Sequence, residues 1–339
     1  MHNKRKLEQL QICLNGDVRS TTSSGLERYR LRHQALPEMD LASVSTRTCF
    51  LGHDLEAPLL VSSMTGGTAL AATVNRRLAR AAQEAGIAMG LGSQRAAIED
   101  PSLMGTYRVR DEAPDILLLA NLGAIQLNYG YGPEECMRAV ESVGADALIL
   151  HLNPLQEALQ PHGDTGFGGL LAKIARVCRE LPLPVVVKEV GCGLSREAAE
   201  ALRQAGVAAL DVAGTGGTSW SEVERQRSTN SDDAEVAQAF RAWGLPTAEA
   251  LVQVRAACPG LPVIASGGLA NGIEAAIALA LGANLVGYAH ELLCPAMDSA
   301  AAVNQRLDII LRQLRTAMFC VGARTLADLD TARLDDMER

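Results

Sequence analysis

Positive charge is in deficit. The chain carries 31 Lys and Arg against 39 Asp and Glu, a formal net charge of −8. A nucleic-acid or anionic-membrane binder is normally basic, so no nucleic acid and no membrane is expected as a partner. No apolar run of membrane length is present. The longest, AAIALALGANLVGYA, is broken by Gly282 and Asn284 and reads as a helix followed by a strand. The start, MHNKRKLEQLQICLNGDVRS, has a basic end but neither an apolar stretch nor a small-residue cleavage site, so it does not read as a signal peptide. There is no C-x-x-C pair among the eight cysteines, which are scattered along the chain as free or buried thiols of a reducing cytosol. A cytoplasmic location is therefore expected. Internal repeats, low-complexity tracts and a G-x-G-x-x-G fingerprint are also missing.

What is present is enough material for a large core: 339 residues, 48% of them hydrophobic. From about residue 57 short β-prone runs alternate with Ala-rich amphipathic stretches. The strand candidates are 58–64, 87–93, 115–121, 147–152, 184–190, 208–214, 262–267 and 284–289. Between them, 75–86, 196–206 and 272–282 read as helices ending in Gly. Continuous apolar strands alternating with helices imply parallel strands buried on both faces. Eight such units in one chain predict an α/β fold, a (β/α)8 TIM barrel with an N-terminal extension. A doubly wound open sheet is the runner-up. Residues 1–56 would form the extension and 57–339 the barrel, with 218–246 as a long loop after strand six.

In such a barrel the strand C-terminal ends build the site. Here they read MTGGT, GSQR, NLGA, HLNPLQE, KEVGCG, GTGGTSW, SGGLANG and AHE. Gly267 and Gly268 let backbone approach a phosphate, and Thr218 adds a hydroxyl; the plainer reading is two flexible corners. Lys188 is either a Schiff-base amine, a cation beside an anionic cofactor ring, or half of an ion pair with Glu189 or another carboxylate. Asp211 reads as a partner for a charge inside the barrel rather than as a catalyst. HLNPLQE places His151, Asn153, Gln156 and Glu157 directly after an apolar strand. A carboxylate suits Mg2+, which commonly takes one or two carboxylates plus substrate phosphates, while His and Asn can hydrogen-bond phosphate oxygens. A single His argues against zinc. The bland alternative is a satisfied core His and a capping Glu.

The ordered set of RK at 5–6, ALPEMDL at 35–41, MTGG, GSQR, NLGA, HLNPLQE, KEVGCG, DVAGTGGTSW, ASGGL and GARTLADL resembles the type 2 isopentenyl-diphosphate isomerases over nearly the whole chain. The resemblance implies an FMN enzyme that interconverts isopentenyl and dimethylallyl diphosphate. Reduced FMN would act as the acid–base catalyst, Mg2+ would hold the diphosphate, and NADPH would reduce the flavin. It implies flavin contacts at Ser63, Met64, Thr65, Ser93, Asn121, Lys188 and Thr218, and a phosphate cup at Gly267, Gly268, Leu269, Ala289 and His290. Arg5, Lys6, Arg95, His151 and Asn153 would meet the diphosphate, Gln156 the alkene end, and Glu157 the Mg2+. Gln156, His151 and Asn153 are the catalytic candidates, and the N-terminal residues form a basic clamp. A homo-oligomer, tetramer or octamer, is also implied.

Two positions depart from the family pattern: Gln9 stands where RK-x-x-H has His, and His290 stands where Gly is frequent. The rival enzyme reading is an FMN-dependent 2-hydroxy-acid oxidase. It needs a His and an Arg at the strand-seven end, where this chain has SGGLANG. A non-catalytic flavin-binding descendant is the rival from another class.

Overall fold

A computed structural model describes residues 2–337. Eight parallel strands close into a barrel: β1 Leu59–Val61, β2 Ala88–Gly90, β3 Leu118–Gly123, β4 Ala147–His151, β5 Val185–Lys188, β6 Ala209–Asp211, β7 Val263–Ser266 and β8 Leu285–Tyr288. Each pairs with the next in sequence, and Val286 opposite Leu59 joins β8 back to β1. The strands are shorter than their apolar runs suggest. The strand ends at Val61; the Ser62 N–H still donates to the Tyr288 carbonyl at 2.9 Å, and Ser62, Ser63 and Met64 line the mouth.

Alternation along the strands separates two cores. Leu60, Ala88, Leu119, Ile149, Val186, Ala209, Ile264 and Leu285 fill the barrel interior. Leu59, Val61, Met89, Leu118, Leu148, Leu150 and Val286 face the surrounding helices. Burying one such Leu or Ile side chain is worth about 1.5–3 kcal/mol, so the strands are held from both sides. The interior core also includes Phe50 and Leu55, from the antiparallel hairpin of Thr48–Phe50 and His53–Leu55. That hairpin plugs the N-terminal end of the barrel, which leaves the C-terminal face as the open one.

Helix ends follow local chemistry. The Thr68 hydroxyl accepts from the Ala71 N–H at 3.1 Å to start Ala69–Ala85, which stops at Gly86. Ser195 and Asn271 cap Arg196–Gln204 and Gly272–Ala280 in the same way. No helix among the described residues is long and apolar enough to cross a membrane.

Two pieces lie outside the barrel repeat. His2–Asn15 is a helix with Leu10 buried and Cys13 and Leu14 packed on the core. The connection 218–246 is not an open loop. It holds the helices Trp220–Arg227 and Ser231–Ala239, the first capped by Ser219 and the second by Asn230. The N-terminal helix rests on Trp220–Arg227, tied by Gln9 Nε2 to Glu224 Oε1 at 2.8 Å. The segment between the N-terminal helix and the barrel meets the C-terminal region, since Tyr29–Leu31 pairs antiparallel with Leu334–Asp336.

Candidate active site

The polar strand ends converge on one cavity of about 320 Å3 at the open face. All nineteen residues singled out from the sequence, from Arg5 to His290, line it. The same wall also holds residues that sequence reasoning missed: Arg19, Ser62, Gln126, Gln160, Trp220 and Glu291.

The β1 end carries MTGG. A side chain at Gly66 would sit 2.0 Å from the Tyr107 ring, so glycine is required for the loop to lie on that buried ring. The Tyr107 hydroxyl donates to the Ser93 carbonyl at 2.8 Å. Lys6, reaching in from the N-terminal helix, donates to the same carbonyl at 2.7 Å and to the Tyr107 hydroxyl at 2.6 Å. Burial, reinforced by the neighbouring Arg5, pushes the Lys6 ammonium down to about 7, against the pull of Glu99. Arg5 donates to Gln160 Oε1 at 2.8 Å, and Arg95 pairs with Asp164 at 2.5 Å and Glu99 at 2.8 Å. Three basic side chains thus stand on one side of the mouth.

Beneath them lies the β3–β4 edge. Asn121 donates its Nδ2 to the Leu91 carbonyl at 2.9 Å, which leaves its Oδ1 facing His151 Nδ1 at 2.8 Å. That oxygen can only accept, so His151 carries its proton on Nδ1 and presents a bare Nε2. Burial, then Lys188 and Lys6, lowers the imidazole to about 3, so it is neutral. Asn153 donates to Glu157 Oε1 at 2.9 Å and Gln156 Oε1 at 3.1 Å, and the Asp164 N–H donates to Glu157 Oε2 at 2.7 Å. The buried Asn153 Oδ1 has no partner among the described residues. An orphaned amide oxygen beside a buried carboxylate is an oxygen pair open to a hard cation. Among the described residues no group of three or more His, Cys, Asp and Glu could hold an ion unaided.

Lys188 projects from the end of β5, in register with His151 on one side and Asp211 on the other. The structure removes the Glu189 ion-pair alternative. Lys188 Nζ donates to the Glu189 carbonyl at 2.6 Å, while the Glu189 carboxylate turns away to accept the N–H groups of Val190, Gly191 and Cys192 at 2.6, 2.7 and 2.5 Å. Burial raises Glu189 to about 6, against those three donors. Asp211 is engaged by the Ser266 hydroxyl at 2.6 Å, and burial raises it too. No carboxylate stands within 4.0 Å of Lys188 among the described residues. Its charge bears on Asp211 and Glu189 without touching either carboxylate, and a buried ammonium with no contacting carboxylate suits an anionic ring. The signal for the Glu189 nest was an acid directly before V-G-C-G at a strand end.

Opposite the basic wall, the β6 and β7 loops touch. A side chain on Gly268 would stand 2.4 Å from the Gly216 carbonyl carbon, and one on Gly267 would stand 2.0 Å from the Gly214 oxygen; both glycines have positive φ. The N–H groups of Gly268 and Leu269 have no acceptor among the described residues. Ala289 and His290 open the helix His290–Asp298 on the same side. Ser62 Oγ and Ser63 Oγ are buried without a partner. Two close-packed glycine loops, unspent N–H donors and orphaned hydroxyls fit a phosphate and a flavin ring edge.

The family model for FMN-dependent dehydrogenases matches residues 15–103 and 158–336. Two of the stretches outside that match, 1–14 and 104–157, carry Arg5, Lys6 and the whole of HLNPLQE. Among solved structures, the chain resembles a crystal structure of (S)-mandelate dehydrogenase, described as a monotopic membrane protein. The TM-score is 0.70, with 18% identity, and the alignment covers 98% of this chain and 96% of that one. A flavocytochrome b2 with sulfite bound gives 0.69 at 17% identity, covering 96% and 82%. At such identities the likeness shows the barrel alone. Curated relatives are much closer in sequence. An isopentenyl-diphosphate delta-isomerase of Synechococcus is 53% identical, covering 96% of this chain and 94% of its own. Those of Nostoc, at 49% over 96% and 93%, and Rickettsia africae, at 50% over 98% and 97%, carry the same name. With identity near one half from end to end, the chain belongs to the FMN-dependent dehydrogenase family and, within it, to the type 2 isopentenyl-diphosphate delta-isomerases.

Proposed function

We propose that this chain interconverts isopentenyl diphosphate and dimethylallyl diphosphate, with reduced FMN and Mg2+ as its cofactors. The carrying observation is the division of one cavity into two walls. Arg5, Lys6, Arg95 and the 151–157 segment face the glycine loops and Lys188 across it. The first wall suits a diphosphate, and the second suits a flavin and its phosphate.

Moving the double bond requires a proton to be added at one carbon and another removed elsewhere. No carbonyl acidifies the substrate C–H, so protonation of the alkene to a tertiary cation is the easier first step. When bound, reduced FMN supplies an electron-rich ring and an exchangeable proton for that chemistry. The chain supplies position and charge. Lys188 gives the ring a buried counter-charge. His151, held as the Nδ1–H form by Asn121, keeps an acceptor or a protonatable Nε2 toward the diphosphate. Gln156 orients the alkene end, since an amide is a poor acid, and Asn153 fixes both Gln156 and Glu157. Glu157 would hold Mg2+, which would supply positive charge against the diphosphate. The N-terminal helix brings Arg5 and Lys6 over the mouth, where they clamp the diphosphate and exclude water. Flavin contacts are those inferred from the sequence: Ser63, Met64, Thr65, Ser93, Asn121 and Thr218, with Gly267 to Leu269 and Ala289–His290 around the phosphate. NADPH is the proposed reductant, the cytoplasm the proposed location, and a tetramer or octamer the proposed assembly.

The test is turnover in two flavin states. With oxidised FMN the protein should be inert toward isopentenyl diphosphate. After one anaerobic reduction by dithionite, with Mg2+, it should form dimethylallyl diphosphate over many turnovers without further reductant loss, and in D2O the product should gain deuterium. Consumption of reductant in proportion to product would support a hydride-transferring enzyme instead. The Ser266–Ala270 end of β7, lacking His and Arg, argues against the 2-hydroxy-acid version of that reading. No turnover in either state, with FMN bound, would leave a flavin-binding protein without this activity.

A further inference from the structure

Arg19 belongs to no motif and to none of the roles above, yet it lines the cavity on the glycine-loop side. Its backbone is pinned. Arg19 and Thr218 form an isolated antiparallel bridge, with Ser20 N–H donating to the Gly217 carbonyl at 2.9 Å and Ser219 N–H donating to the Val18 carbonyl at 2.7 Å. Arg241 and Gln226 hold the same segment from outside, through the Arg19 and Asp17 carbonyls at 3.1 and 3.0 Å. Residues directly opposed in an antiparallel bridge send their side chains to the same face. The Arg19 guanidinium therefore stands on the Thr218 side, above the loop that touches Gly268.

The guanidinium itself is barely engaged. Its one ion pair among the described residues is 4.0 Å to Glu291, and its side chain is 71% exposed. Glu291 already has a closer partner in Arg306 at 2.6 Å. The other Lys and Arg side chains of the cavity are committed elsewhere. Arg5, Lys6 and Arg95 contact Gln160, Ser93 and Asp164, and Lys188 lies in the floor. The glycine loops thus offer a phosphate N–H groups but no cation, except Arg19. Arg306 holds Glu291, so the Arg19 charge is left over for a ligand at the edge of the cup.

Resting on the flavin reading above, we infer that Arg19 is a further cofactor-binding residue. It closes over the glycine-loop cup and pairs with the terminal phosphate of FMN. A guanidinium matches a phosphate with two parallel N–H donors, and such a contact is lost on a flavin without phosphate.

The test compares FMN with riboflavin on purified apoprotein, reading dissociation constants from flavin fluorescence. The wild type should bind FMN more tightly than riboflavin. Arg19→Ala should weaken FMN about three- to tenfold, the range for a partly exposed charge-assisted contact, and leave riboflavin unchanged. Arg19→Lys should recover part of the loss, and lowering the salt should widen the gap. Equal weakening of both flavins would mean that Arg19 only supports the loop, and an unchanged FMN constant would remove it from the site; either result overturns the inference. A wild type that takes neither flavin overturns the flavin reading instead, and this inference with it. A variant too unstable to assay is replaced by Arg19→Gln, which keeps the backbone bridge.

Discussion

Replacing Lys6 by methionine should change stability and substrate binding in opposite directions. Its ammonium is pushed from 10.5 to about 7, chiefly by burial and then by Arg5. At about 1.4 kcal/mol per pH unit this disfavours the charged form by about 5 kcal/mol, which partial solvent contact cuts to about 2–3 kcal/mol. The folded-state value lies below the unfolded one, so the folded chain binds fewer protons between pH 7 and 10.5. The charged lysine therefore costs stability below pH 7, and that cost fades as pH rises toward 10.5. Lys6→Met should melt higher than wild type at pH 6, with the advantage gone near pH 10. Binding a diphosphate restores the charge. At pH 8 about nine-tenths of Lys6 is neutral in the free protein, so binding should take up about 0.9 proton, against about 0.1 at pH 6. Titration calorimetry of isopentenyl diphosphate with Mg2+, in two buffers of different ionisation enthalpy, reads this number directly. The variant should lose the uptake and about ten- to a hundredfold in affinity, as expected for a lost charge-assisted contact. Uptake below about 0.3 proton in the wild type at pH 8, or equal uptake in Lys6→Met, would refute the reasoning.

Glu157→Gln keeps the size of the side chain but removes the charge; turnover at limiting Mg2+ should fall about a hundredfold while flavin absorbance persists, and wild-type turnover there would dismiss Glu157 as the ligand. Lys188→Met should loosen FMN or shift the reduced ring from anion toward neutral, visible in anaerobic spectra over a pH series; superimposable series would exclude the role. Asn121→Leu removes the acceptor for His151 Nδ1–H, at a cost of about 1–3 kcal/mol, and nitrogen NMR of the imidazole should show the tautomer ratio shift. Arg5→Ala should raise KM more than it lowers kcat, and an unchanged KM would take Arg5 out of the site.

The barrel was legible because its eight apolar runs are short, regular and broken by Gly and polar clusters, and all eight became strands. Most of their ends were overextended, because residues such as Ser63 and Met64 continue the β-prone run past the strand, whereas β3 runs on to Gly123. The 218–246 connection looked like open loop because STNSDD and the glycine-rich entry dominate its composition. Its two helices are short and rest on capping by Ser219 and Asn230 and on contact with the N-terminal helix. The chemistry-bearing residues were readable because they sit at strand ends. Arg19, Gln160 and Trp220 were not, because their place at the cavity comes from tertiary docking of segments that precede or follow the strands. The Gln9 departure has a local account: its amide binds Glu224, which Arg227 also holds.

The chain has only two tryptophans, and the fold divides them sharply. Trp220 begins the helix that lines the cavity, whereas Trp243 is 61% exposed and stacks edge-on with Phe240 at 5.6 Å. One indole therefore lies where a bound flavin ring would drain its excited state, and the other emits from solvent. A Trp243→Phe protein, excited beyond the tyrosine band, would report cofactor loading through a single indole, with no dye, no substrate and no turnover needed.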